Sequence, residues 1–243
     1  MTAPGALRND ASFHYCPGCG HRYLHRILAD CIDTLGIRER VIGIAPVGCA
    51  VFAYDYFNFD MMEAPHGRPP AVATGLKRAR PGNIVLTYQG DGDLAAIGLS
   101  EIMHAAMRGE NITVLFANNA AYGMTGGQMA PTTLRGQVTT TTPQGRQGPP
   151  MKVAETIASL EGPYFVARGS LDSRDNIQAT RGLVLRALEC QMDGRGFSFV
   201  EALAACPTVW HKGPLESSRW IRTEMSAAFP PGILLDRATG AGR

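Results

Sequence analysis

The sequence predicts one doubly wound α/β domain built on a mostly parallel sheet, and three observations predict it. Short apolar runs rich in Ile, Val and Leu alternate with amphipathic segments of helical period. Strands joined through helices pair in parallel, because a parallel pair needs a crossover connection. No linker composition and no internal repeat divides the 243 residues, so residues 1–243 read as a single domain.

The elements follow in order. Residues 21–35 carry apolar side chains at helical spacing and stop at Gly36, which suits a left-handed helix C-cap. Residues 40–45 read as a buried strand. Residues 69–78 form a helix opening on proline, where the missing N–H costs nothing. Residues 83–89 make the next strand, 94–108 a helix and 112–117 another buried strand. Residues 118–150 are crowded with Gly, Thr, Pro and Gln, and a loop of that length inside a domain points to function or disorder. A helix (151–160), a strand (164–167), a helix (173–192) and a strand (197–203) complete the alternation. Residues 220–228 read as a last helix before an irregular tail.

Composition narrows the function. Charged residues make up only 18%, below the roughly 25% usual for soluble domains, which points to surface covered by other subunits. A net charge of +2 with scattered basic residues excludes a nucleic-acid surface. No apolar run approaches the ~20 residues of a membrane span, and residues 1–13 lack the pattern of a signal peptide. The expected location is the cytoplasm, where six cysteines serve as ligands, redox groups or core residues rather than disulfides.

The strand at 83–89 runs into Gly90-Asp91-Gly92-Asp93, and a helix follows. Parallel strands that feed helix N-termini are where α/β folds bind phosphates. The glycines allow close backbone approach, and Asp91 is placed to hold a divalent ion. Alone, Gly-Asp-Gly equally suits an ordinary turn. Its partner is Asn118-Asn119, directly after the next strand. A right-handed βαβ unit puts both strand ends on one edge, so Asp91 and Asn119 are expected to meet as two oxygen ligands of one metal.

Cys16-Pro17-Gly18-Cys19 is a Cys-x-x-Cys turn; Cys49, after Val47-Gly48, and Cys206, before Pro207-Thr208, follow strands. A thioredoxin-like pair would follow a strand, and none is predicted before Cys16. Four thiolates satisfy either zinc or an iron–sulfur cluster. Cys31 and Cys190 fall within amphipathic helices, where cysteine is core packing.

Gly90-Asp91-Gly92 followed by Asn118-Asn119 resembles the diphosphate-binding motif of thiamine-diphosphate enzymes. The run from Tyr122 through Gly123, Met124, Thr125 and Gly126 to Thr133 resembles the β subunits of 2-oxoacid:ferredoxin oxidoreductases of the 2-oxoisovalerate or 2-oxoglutarate type, as does His66-Gly67-Arg68. The four cysteines match that family's cluster pattern, so the resemblance spans nearly the whole chain.

That resemblance implies thiamine diphosphate, Mg²⁺ and one 4Fe–4S cluster as cofactors. Asp91, the Asn119 side chain and the Ala121 carbonyl would ligate Mg²⁺. Gly48, Gly90, Gly92, Asp93, Tyr122, Gly123, Met124 and Thr125 would contact the cofactor, and His66 and Arg68 would face the reacting centre. Cys16, Cys19, Cys49 and Cys206 would hold the cluster. The implied reaction is oxidative decarboxylation of a 2-oxoacid to acyl-CoA and CO₂, with electrons leaving to ferredoxin. Gly126 offers no cation for a distal carboxylate, which favours a branched-chain 2-oxoacid over 2-oxoglutarate. The family's pyrimidine-binding domain comes from a separate α subunit, with γ or δ subunits in some relatives, so the chain is expected to be inactive alone. Two other readings remain at this stage: a cluster-free thiamine decarboxylase fragment, and a zinc-stapled subunit without catalysis.

Overall fold

The computed structural model describes residues 4–8, 10 and 12–241. Its strands are β1 (Val41–Ala45), β2 (Asp60–Glu63), β3 (Ile84–Gly90), β4 (Thr113–Asn118), β5 (Phe165–Ser170), β6 (Ser198–Leu203) and β7 (Gly232–Asp236). Among the described residues these form one seven-stranded sheet in the order β2-β1-β3-β4-β6-β5-β7. Every pairing is parallel except that of β7 with β5. The doubly wound, mostly parallel sheet is thus present.

Side chains alternate between two buried faces, as a sheet covered on both sides requires. Leu86 and Tyr88 of β3, Leu115 and Ala117 of β4, and Val200 and Ala202 of β6 pack in one layer. Val85, Val114, Phe116 and Phe199 pack in the other. The first layer is closed by α1 (His21–Leu35) and by the later helix Arg174–Met192. After α2 (Ala53–Tyr56), the second layer is closed by α3 (Pro69–Ala79), α4 (Leu99–Met107) and α5 (Val153–Ala158). The helix Arg174–Met192 is α6, and its N-cap Ser173 accepts a hydrogen bond from the Asn176 backbone N–H. Gly36 ends α1 at φ 62°, a left-handed cap of the kind glycine adopts without strain. Cys31 and Cys190 are fully buried in the first layer, as their helical positions predict.

Three differences from expectation have physical reasons. The helix expected over 94–108 is divided, with a π-helical turn Gly92–Ile97 before α4. The tail expected to be irregular contains β7, and the final helical region starts earlier, at α7 (Pro207–Trp210) and α8 (Pro214–Trp220). A second π turn, Ile221–Met225, then leads to α9 (Ser226–Ala228). Flanking prolines and a short apolar core hid β7, which covers the β5 edge. Likewise β2, a polar edge strand reading Asp-Met-Met-Glu, carries no apolar run to detect.

Residues 119–152 contain no helix or longer strand, only the bridges Tyr122–Gln128 and Thr139–Thr142. They are nonetheless tied down. Arg146 donates to the carbonyls of Ala130, Pro131 and Pro149, each at 2.8 Å.

The π turn depends on a close backbone approach. A Cβ on Gly98 would overlap the Asp93 carbonyl oxygen and come within 2.7 Å of the Gly67 carbonyl oxygen. We therefore expect Gly98→Ala to cost about 1–3 kcal/mol through overpacking, read as a lowered urea midpoint at unchanged m-value. A wild-type midpoint would show that the turn relaxes freely.

Candidate functional site

The parallel ladder delivers four strand ends to one edge. Gly48 and Cys49 follow β1, Gly90 to Asp93 follow β3, Asn119 to Thr125 follow β4, and Cys206 follows β6. A cavity of about 390 Å³ opens there. Its wall includes Gly48, Cys49, His66, residues 90–93, Asn119 and residues 121–125, together with His21 from the start of α1. Nearly all residues expected to contact a phosphate-bearing ligand are therefore brought together. The wall carries no Lys or Arg.

Asp91 and Asn119 meet as the βαβ argument requires. The buried Asp91 carboxylate accepts the Asn119 backbone N–H at 3.0 Å through one oxygen and the Thr132 hydroxyl through the other. Burial pushes its pKa up to about 7, against the lowering effect of these two hydrogen bonds. No cationic side chain faces it from the cavity wall. The Asn119 side-chain oxygen accepts from the Ala121 N–H at 3.3 Å, and the Asn119 carbonyl accepts the Trp210 indole N–H at 3.0 Å. Ala120 between them is left-handed, at φ 57°.

Asp93 does different work. Its Oδ1 accepts from the backbone N–H groups of Val47 at 3.2 Å and Gly67 at 3.0 Å, and pairs with His66 Nδ1 at 2.8 Å. Its Oδ2 accepts from Gln89 Nε2 at 2.6 Å. Asp93 thus ties the β1 and His66 loops to β3, and His66 lines the cavity. Arg68 lies apart from the cavity wall, its guanidinium paired with Glu101 and donating to the Ile97 carbonyl at 3.4 Å.

The cysteines gather beside this cavity. The Cys19 N–H donates to the Cys16 carbonyl at 3.0 Å, closing the predicted turn. A Cβ placed on Gly123 would meet Cys49 Sγ at 3.3 Å and Cys206 Sγ at 3.4 Å, so this glycine leaves space between two sulfurs. Backbone N–H groups of His21 and Val209 donate to the Cys19 and Cys206 sulfurs. Burial nevertheless pushes both thiols up to about 12, and raises Cys49, with the neighbouring cysteines adding to each rise. Among the described residues, no three His, Cys, Asp or Glu side chains stand close enough to share one metal ion.

Several functional residues carry no clear sequence signal. His21 is buried, its Nδ1 2.7 Å from the Tyr88 hydroxyl, and burial lowers its pKa to about 4. Its position next to Cys19-Gly20 was the one available hint. Thr132 and Trp210 reach Asp91 and Asn119 from afar in sequence, which no local pattern reveals.

Comparison with known proteins bears on the family and the fold. The family model for the C-terminal TPP-binding domain of thiamine pyrophosphate enzymes matches residues 46–202. The chain is 49% identical over 229 residues to the ketoisovalerate oxidoreductase subunit VorA of Methanothermobacter thermautotrophicus, covering 93% of this chain and 48% of that subunit. It is 36% identical over 206 residues to the 2-oxoglutarate synthase subunit KorB of Methanocaldococcus jannaschii, covering 84% and 73%. This chain therefore spans about half the length of the ketoisovalerate oxidoreductase subunits it matches. A solved 2-oxoglutarate:ferredoxin oxidoreductase from Magnetococcus marinus, with 2-oxoglutarate, coenzyme A and succinyl-CoA bound, superposes with a TM-score of 0.80 over 99% of this chain and 87% of that one. At 24% identity that likeness speaks for the fold alone.

The raised pKa of Asp91 has a signed consequence. The folded state holds this proton more tightly than the unfolded chain, so its stabilising contribution is complete below the unfolded value of 3.8 and lost as pH rises through about 7. Without divalent ions, Asp91→Asn should match wild type in melting temperature near pH 4 and exceed it by several degrees at pH 8. Mg²⁺ with thiamine diphosphate should raise the wild-type value alone. An unchanged difference across that range would mean that Asp91 is not buried as described.

Proposed function

We propose, from the premise that this chain belongs to the thiamine pyrophosphate enzyme family and groups with subunits of 2-oxoacid oxidoreductases, that it forms the diphosphate-binding and first electron-accepting part of a 2-oxoacid:ferredoxin oxidoreductase. The observation that carries this reading is one cavity bounded by a cation-free buried carboxylate, Asp91, and by the cysteine group at Cys49.

The residues present fit the groups the family implies. Asp91, the Asn119 side-chain oxygen and the Ala121 carbonyl would hold Mg²⁺, which takes few carboxylates and completes its shell with phosphate oxygens and water. A divalent ion there would supply the positive charge that the wall lacks. Gly48 and Gly90 have open space where a Cβ would stand, which suits close approach of a diphosphate. Cys19, Cys49 and Cys206 each feel neighbouring thiols, as a shared four-thiolate site requires. The choice of an iron–sulfur cluster over zinc rests on the likeness to oxidoreductase subunits.

When bound, thiamine diphosphate supplies the electron sink for decarboxylation and an iron–sulfur cluster supplies an acceptor for the electrons released. The chain's own residues do the rest. Asp93 orients His66 through Nδ1, which leaves Nε2 to hold or pass a proton at the cavity. Burial keeps His21 neutral on the cavity wall that it shares with Cys49. Val47, Ile97 and Met124 form an apolar, partly exposed rim that would exclude water once covered. Arg68 is held by Glu101 outside the cavity wall and is not assigned a catalytic part.

The substrate is a branched-chain 2-oxoacid on this reading, with 2-oxoglutarate as the alternative. A wall without Lys or Arg suits an apolar side chain, and the ketoisovalerate relatives are the more similar ones. The exposed rim suits cover by a pyrimidine-binding domain, which the family reading assigns to an α subunit. Coenzyme A would take the acyl group and ferredoxin the electrons. No helix among the described residues is long and apolar enough to cross a membrane.

Two measurements test these proposals. Purified anaerobically, the wild type should be brown with about four iron and four sulfide per chain, and Cys206→Ala should lose most of both. A colourless wild type containing zinc would overturn the electron-transfer role. The chain alone should not oxidise 2-oxoisovalerate with coenzyme A and a viologen acceptor. Joined by its partner it should do so with at least about tenfold higher kcat/KM than for 2-oxoglutarate, a difference of about 1.4 kcal/mol. The reverse preference would transfer the substrate assignment to 2-oxoglutarate.

A further inference from the structure

A buried charge relay ends on the metal-binding loop. Arg168 of β5 has a fully buried side chain, whose Nε donates to Glu201 Oε2 at 2.8 Å. Its two terminal nitrogens reach Glu155 at 3.0 and 2.6 Å. Glu201 of β6 is also fully buried, and its Oε1 accepts from Asn118 Nδ2 at 2.6 Å. Asn118 Oδ1 in turn accepts the Ala120 N–H at 3.1 Å. The Ala120 carbonyl is held by Thr133 Oγ1 at 2.7 Å and Gln137 Nε2 at 3.1 Å.

An ion pair at this depth is weak evidence of stabilisation, because desolvation offsets the attraction and well-packed apolar residues serve a core as well. What an apolar pair lacks is direction. Here the direction ends at Ala120, one of two non-glycine residues with positive φ among the described residues. Such a conformation persists only where its surroundings over-determine it. Asn119 and Ala121, which flank it, are the residues assigned to the divalent ion.

We infer that Arg168, Glu201 and Asn118 are positioning residues for the divalent-cation site, locking the 118–121 turn so that Asn119 and Ala121 present their oxygens together. This rests on the Mg²⁺ assignment made above. None of the three touches the ion; they act through the turn.

The test is a Mn²⁺ titration followed by electron paramagnetic resonance, with thiamine diphosphate present, on the chain joined to its partner subunit. R168Q/E201Q keeps an amide acceptor for Asn118 without charge, whereas R168M/E201L removes the acceptor and fills the space with apolar atoms. Loss of an outer-shell partner weakens metal binding by roughly ten- to a hundredfold, and R168M/E201L should fall in that range while melting near wild type. R168Q/E201Q should stay within about threefold of wild type, since the hydrogen bond that orients the turn survives. Equal affinities for the two variants would overturn the inference. Should R168M/E201L fail to fold, Asn118→Ala carries the test: the same weakening supports the relay and wild-type affinity overturns it. Asp91→Asn separates the two levels. If it too binds Mn²⁺ like wild type, the cation site itself is misassigned; if it alone weakens binding, only the relay fails.

Discussion

The site depends on one constraint, the parallel pairing of β1, β3, β4 and β6. Parallel strands all finish on the same edge, so residues far apart in sequence arrive together without any local signal. Gly48 and Cys49, Asp91, Asn119 and Cys206 are each the first chemistry-bearing residues after one of these strands. The β-ladder sets their spacing, and the helices only return the chain to the starting edge. Were one strand reversed, its contribution would leave for the opposite edge, and the carboxylate and the thiols would no longer share a cavity.

Burial then sets the electrostatics. Asp91, Cys19, Cys49 and Cys206 are all pushed above their ordinary pKa values, and in each case desolvation is the largest cause. These groups have been taken out of water with little cationic compensation: of the four, only Cys19 feels a cation, Arg22, and that is the smallest of the influences on it. Backbone donors from Asn119, His21 and Val209 offset only part of the penalty. Such a site favours protons when nothing else is bound, and on the proposed reading a metal would displace them. Histidine follows the same logic with the opposite sign: burial keeps His21 neutral, so it adds no positive charge to the thiol group.

Much of this was legible from residues alone, and the limits have physical causes. Helix α1 and its Gly36 cap were readable because period and cap agree. The meeting of Asp91 with Asn119 was readable because a βαβ unit has one hand. The π turn at Gly92–Ile97 was not, since its apolar pattern is also that of an ordinary helix and only the approach of Gly67 to Gly98 distinguishes it. Asp93 looked like a further phosphate contact, and sequence proximity gave no sign that it gathers donors from Val47, Gly67, Gln89 and His66. Arg68 likewise follows His66 by two positions yet turns towards Glu101. The family model ends before Cys206 and begins after Cys19, so three of the four cysteines were found by their loop contexts and the wider resemblance, not by that domain.

The long segment after β4 shows why order and irregularity coexist at this edge. A regular helix or strand would satisfy its own backbone and have few groups to offer the cavity. Residues 119–152 instead combine short backbone turns and bridges with side-chain hydrogen bonds: Thr133 and Gln137 to Ala120, Thr132 to Asp91, Arg146 to three carbonyls. The richness in Thr and Gln is the stock of donors needed to hold a turn whose own geometry is strained at Ala120. That also explains why Trp210, arriving from beyond β6, donates to Asn119 rather than packing wholly in the core. A loop fixed by so many separate contacts can place a carbonyl and an amide oxygen where a regular element has neither to spare.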